Sequence, residues 1–175
     1  MIAVSDTGPI LYLNAIGRIG LLPQIFKKVL IPDTVADELT HPSAPMEVAV
    51  LITRPPAWLD VRPVLSMDAR LGTLGPGERH AIELASSVGA DVFLTDDALA
   101  KDLARRVKAL KAYGTIGVLY EAAMNRSIVF TPEDFDRTAA NLLSTNFFAG
   151  AALRKSIEDL SRRLHESQPF ADRER

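Results

Sequence analysis

The chain has 175 residues, 47% of them hydrophobic and 24% charged, with a formal net charge of −2 and a pI near 5.9. That length suits one domain with a sizeable core and a tail, and the composition excludes wholesale disorder. The charge excludes a global basic field, so any nucleic-acid contact needs a local patch. The absence of cysteine excludes disulfides, iron–sulfur clusters and cysteine-ligated zinc.

The N-terminal run MIAVSDTGPILYL lacks a basic leader and carries an Asp, so it does not read as a signal peptide. Elsewhere the longest uncharged apolar run, VAVLI at 48–52, is far below the roughly 20 residues that span a bilayer. A soluble, cytoplasmic protein with no membrane partner is expected.

Ile2 to Val4 reads as a short buried strand, stopped by the turn chemistry of SDTGP before an apolar helix at Ile10 to Ile16. Leu21 to Phe26 reads as a short helical piece and Val29 to Ile31 as a second strand. Pro32 and Asp33 open a helix to about Thr40, with Val35 and Leu39 on one face. Ser43 is placed to cap a helix from Ala44 to Thr53, which Pro55 and Pro56 end. Trp58 to Val61 reads as an edge strand, and 62–77, rich in Gly and Pro, as a loop.

Glu78 to Val88 carries the stripe Ala81, Ile82, Ala85 and Val88, with Gly89 as its stop. Val92 to Leu94 is then a strand, Asp96 to Arg106 a helix, Val107 to Leu110 a strand and Thr115 to Met124 a helix. Short apolar strands alternating with amphipathic helices predict an α/β fold around a mainly parallel sheet, covered on both faces. Thr131-Pro-Glu-Asp opens a further helix to about Leu143. The last helix carries Leu153, Ile157, Leu160 and Leu164 as a narrow seam that either docks on the body or meets a partner. The expected division is an α/β domain at 1–130, C-terminal helices packing on it at 131–166, and a disordered tail at 167–175.

Ligands in open α/β sheets bind beyond the carboxyl ends of the strands. Asp6 follows the first strand, and Asp96 and Asp97 follow the strand at 92–94, so two strands deliver carboxylates to one edge if they are neighbours. Glu78 opens the helix before the second of these strands, and Glu38 lies near the end of another helix. Such carboxylates would repel one another unless something positive sat among them, and oxygen donors alone select Mg²⁺ or Mn²⁺. Each residue also has a plainer role: Asp6 as an Asx-type turn residue, Asp96 as a helix cap with Asp97 favouring the dipole, Glu78 as a first-turn acid, Glu38 as a solvated side chain. Periodicity alone does not choose between the two.

The motifs SDTGPIL at 5–11, IPDTVADEL at 31–39, GERHAIELA at 77–85, FLTDDALA at 93–100 and AYGTIGVL at 112–119 occur in order. Together they resemble the PIN-domain family of metal-dependent nucleases, within it a subgroup with SDTSPLI-like, GE..AI..A and LTDD motifs, over residues 2 to 130. The resemblance implies a PIN-like α/β/α sandwich. It implies Asp6, Glu38, Glu78 and Asp96 as the acidic catalytic set, with Asp6, Glu78, Asp96 and Asp97 holding Mg²⁺ or Mn²⁺, and Thr7 or Thr95 orienting a ligand or water. Glu78 stands eleven before Gly89, where the family's VapC-type toxins have an Asp.

The activity so implied is hydrolysis of single-stranded RNA, extending to the toxin of a toxin–antitoxin pair, with an antitoxin protein as partner and a homodimer as the assembly. The alternative is a weak or inactive member that binds nucleic acid or a protein partner. Lys101, Arg105 and Arg106, with Lys108 and Lys111, form the local basic patch after the acidic strand end, and Arg154, Lys155, Arg162 and Arg163 mark the last helix. A solvated face balanced by nearby acids is the plainer account of both clusters. His41, His80 and His165 are read as surface residues.

Overall fold

The computed structural model describes residues 1–167, so the tail expected to be disordered lies, from residue 168 on, outside the described residues. Five strands form one parallel sheet in the order β3-β2-β1-β4-β5, with β1 Ile2–Ser5, β2 Lys28–Pro32, β3 Leu59–Arg62, β4 Val92–Leu94 and β5 Ala112–Tyr113. The chain leaves β1 toward β2 and β3, then returns to lay β4 and β5 on its other side. The topological switch point is therefore between β1 and β4, where the carboxyl ends open a crevice.

Register sorts the strand residues onto two faces. Val4, Leu30, Phe93 and Ala112 align across the sheet and join one cluster with Ala81, Ile82 and Ala85 of α5 (Pro76–Ser87) and Ala100, Leu103 and Ala104 of α6 (Ala98–Lys108). Their neighbours Ala3, Val29, Ile31, Val92 and Leu94 point the opposite way and are equally buried. Strands this apolar on both faces require helices on both, which gives the expected α/β sandwich.

The other helices of this part are α1 Thr7–Ala15, α2 Leu22–Ile25, α3 Asp33–Thr40 and α4 Met46–Thr53. α1 starts three residues before the expected Ile10, because Asp6 caps it and Pro9 is tolerated in a first turn. Ser43 does not cap α4. Its hydroxyl pairs with His41 Nδ1 at 2.8 Å, and the helix begins after Pro45 instead. The strand expected at 107–110 is also corrected: α6 runs through Lys108, and Ala109 closes it in the left-handed conformation at φ 54°, delaying β5 to Ala112. A non-glycine residue in that conformation gives no advance signal of a helix stop.

The described chain falls into two compact units divided in sequence between Thr115 and Ile116, so that α7 (Thr115–Met124), apart from its first residue, groups with α8 (Pro132–Leu143) and α9 (Ala151–Ser167) rather than with the sheet. In this second unit Thr131 and Asp134 form the reciprocal capping box anticipated at the start of α8. Tyr120 meets Phe135 edge-on, with ring centroids 6.4 Å apart. α9 lies along α8 with Ile157 and Leu164 buried and Leu153 and Leu160 half-buried, and His165 reaches Asp136 at 2.8 Å.

Candidate metal centre at the carboxyl edge

Ser5 is level with Leu94, and the Asp6 amide donates to the Leu94 carbonyl at 3.0 Å, extending the β1–β4 pairing by one residue. Asp6 and Asp96 thereby leave adjacent strands side by side. Asp6, 5% exposed, caps α1 by accepting the Gly8 amide on Oδ1 at 3.1 Å. Its turn-residue role and its place in the acidic cluster coexist.

Asp96 does not cap α6. Its Oδ1 accepts the Thr115 amide at 2.8 Å and its Oδ2 the Thr115 hydroxyl at 2.6 Å, which turns the carboxylate across the sheet edge. Asp97 takes over the cap, accepting from the Ala100 amide at 2.6 Å, while its own amide donates to Thr95 Oγ1 at 3.2 Å. Asp97 is thus exposed, with one carboxylate oxygen engaged in the helix cap.

Burial pushes the Asp6 carboxyl up to about 8; a hydrogen bond from Thr95 opposes this, and the charges of Asp96 and Glu78 add to it. Burial also raises Asp96, against the pull of the two Thr115 bonds and of Lys101. Glu78, in the first turn of α5, is close enough to act on Asp6 electrostatically, and its carboxylate folds back over Gly75. Glu38 is exposed; it accepts the Thr7 hydroxyl, and a side chain on Gly77 would come within 2.7 Å of its Oε1. Thr7 and Thr95 therefore each hold an acid of the set. Among the described residues no three carboxylates or imidazoles converge tightly enough to ligate one ion together.

What the residues offer a cation is the facing pair. A Cβ built on Gly8 would lie 3.4 Å from Asp96 Oδ2 and 3.6 Å from Asp6 Oδ1, so the bare glycine leaves a cradle between two desolvated oxygen donors. Two carboxylates with water completing the shell suit Mg²⁺, which seldom takes an all-protein cage. Asp6 and Asp96 would hold the ion, with Glu78 nearby.

Over residues 2–162 the chain matches the family model DUF3368, described as a PIN domain. The chain belongs to the PIN-domain family. This is a nuclease-type family whose members generally depend on a divalent metal and whose fold suggests nucleic-acid binding. A solved structure of a PilT N-terminus domain protein from the hyperthermophilic archaeon Sulfolobus solfataricus P2 is similar over 86% of this chain and 100% of that one, at 14% identity and a TM-score of 0.49. No curated protein matches the chain. No described helix is long and apolar enough to cross a membrane.

Two residues of this PIN-domain site escaped the sequence. Thr115 is fully buried and supplies both donors to Asp96, and Gly114 is compelled, because a Cβ there would run into Asp96 Oδ1 and lie 2.7 Å from the Thr95 carbonyl. The motif AYGTIGVL contained them, but only the packing of β5 against β4 shows what they touch. Of the basic residues, Lys101 reaches the Asp96 carbonyl at 3.3 Å, Arg105 the Ala112 carbonyl at 3.1 Å, and Arg106 the Asp102 carboxylate at 2.5 Å. Lys108 is spent on structure, bridging Asp68 at 3.2 Å and Glu83 at 3.1 Å. His80, read from sequence as a surface residue, is half-buried and bonds Thr34 at 2.9 Å.

Proposed function

We propose that this PIN-domain chain is a metal-dependent ribonuclease that hydrolyses phosphodiester bonds of single-stranded RNA. The observation that carries the reading is the desolvated pair Asp6 and Asp96 facing each other at the switch point, two carboxyls whose ionisation burial opposes and a divalent cation would favour; among the described residues neither has a Lys or Arg nitrogen within 4.0 Å, Lys101 acting on Asp96 only from farther away. An Mg²⁺ or Mn²⁺ ion bound there supplies charge for the scissile phosphate and lowers the pKa of a water. Asp6 and Asp96 hold their oxygens in place through the Gly8 amide and Thr115, and Thr95 steadies Asp6. Glu78 and Glu38 line the approach as the remaining acids, and Asp97 fixes the start of α6. Action as the toxin of a toxin–antitoxin pair, with an antitoxin protein as partner and a homodimer as the assembly, rests on the PIN-family motif resemblance alone, in which Glu78 stands where the VapC-type toxins have an Asp.

One observation favours a second reading, binding without cleavage: no third ligand is in place beside Asp6 and Asp96 among the described residues. Incubating a mixed RNA pool with Mn²⁺ separates the two. The wild type should cleave, and Asp96→Asn should lower the rate by about a hundredfold or more, as loss of a charge-stabilising group at a reacting centre does. Equal rates in the two proteins, or no cleavage by the wild type, would refute the nuclease reading.

A further inference from the structure

The positive charges of α6 fall into two kinds. Arg106 is matched by Asp102 and Lys108 by Asp68 and Glu83, so their charges are cancelled locally. Lys101 and Arg105 are held instead by neutral acceptors, the backbone carbonyls of Asp96 and Ala112. Neither has a carboxylate oxygen within 4.0 Å among the described residues. A carbonyl fixes the direction of a cationic side chain without cancelling its charge, so Arg105 still attracts an anion, and so does Lys101, whose charge acts on the Asp96 carboxylate only from beyond ion-pair distance.

Their placement is specific. Four residues apart on α6, they lie on one face of the helix. One is anchored on the residue that carries the Asp96 carboxylate, the other on β5, an edge strand of the sheet. Lys111, just before β5, holds its ammonium 5.4 Å from the centroid of the Tyr113 ring and is not part of the track.

We propose that Lys101 and Arg105 form a two-phosphate track that leads single-stranded RNA along α6 and the β5 edge to Asp96. Lys101 takes the phosphate nearest the acids and Arg105 the next one outward. This rests on the ribonuclease reading, and it makes Lys101 and Arg105, rather than Arg106, the nucleic-acid contacts of the patch.

The test is fluorescence anisotropy of a labelled single-stranded oligouridylate in EDTA, with affinity followed over roughly 50–200 mM KCl. Glutamine at either position keeps an N–H for the carbonyl and removes the charge. Each of Lys101→Gln and Arg105→Gln should reduce the slope of log affinity against log salt by about 0.7, and the double variant by about 1.4. Arg105→Lys, which keeps the charge, should retain the wild-type slope. An unchanged slope in both glutamine variants, an equal loss in Arg106→Gln, equal competition by polyglutamate, or no binding by the wild type would overturn the track. Cleavage with Mn²⁺ by a protein whose slope ignores both substitutions would sink the track alone; the expected slopes without cleavage would sink only the nuclease step.

Discussion

Replacing Asp6 by asparagine should make the metal-free protein more stable. The folded chain holds the Asp6 proton up to about pH 8, against 3.8 for an unperturbed carboxyl. A folded-state value raised in this way means that the native chain binds the proton more tightly than the unfolded one, so stability falls as pH rises from about 4 to about 8 and levels off above. At about 1.4 kcal/mol per pH unit, the distance from 3.8 to pH 7 corresponds to about 4 kcal/mol. Asparagine removes that cost, and its side-chain oxygen still accepts the Gly8 amide that Asp6 caps. For a chain of this length the gain raises Tm by roughly 10 °C. Thermal melts in EDTA at several pH values measure both the gain and the missing pH slope. The same melts with excess Mn²⁺ should show wild-type stabilisation of about 2.7 kcal/mol at a hundredfold excess over Kd, largely lost in the variant. An Asp6→Asn variant no more stable than the wild type at pH 7, with the same pH profile, would refute the argument that Asp6 is a desolvated, repelled carboxyl.

Gly8→Ala would put a methyl in ordinary contact with both facing carboxylates, so stability in EDTA should change by less than about 1 kcal/mol while the Mn²⁺ shift is lost; an intact shift would place the ion elsewhere. Gly114→Ala forces its Cβ onto Asp96 and the Thr95 carbonyl and should cost about 1–3 kcal/mol by urea denaturation. Thr115→Val removes the hydroxyl that Asp96 accepts and should cost about 2 kcal/mol, with Thr115→Ser recovering most of it. Lys108→Met strips the cation from between Asp68 and Glu83, the latter 7% exposed, and should lower the urea midpoint at least twice as far as Arg106→Met, which breaks an exposed pair.

The strands and most helices were legible because buried parallel strands are continuous apolar runs and the covering helices carry clear stripes. Asp6 and Asp96 were legible for a related reason: a charge directly after a buried strand has few places to go except the carboxyl edge. The choice between Asp96 and Asp97 as helix cap was not, since either can cap; Thr115, 19 residues on, decides it by holding Asp96. The short β5 was misplaced because Ala109 ends α6 in a conformation that glycine normally announces. The clamp of Lys108 on Asp68 and Glu83 was invisible for want of any local pattern: its members come from α6, a loop and α5. The same is true of the split in the basic patch, where sequence shows five like charges and only contacts show which are neutralised.

The position of β1 in the centre of the sheet has a consequence for synthesis. Its partner β2 leaves the ribosome early, but β4 and the Thr115 that turns Asp96 toward Asp6 come only after half the chain has been made. Before then Asp6 sits at the end of a half-paired strand, its backbone amide without the Leu94 carbonyl it will later bond. The two halves of the acidic pair stand 90 positions apart, so their meeting is a late, long-range event that carries a large loop-closure cost. A nascent chain therefore holds no assembled centre until its sheet is nearly complete.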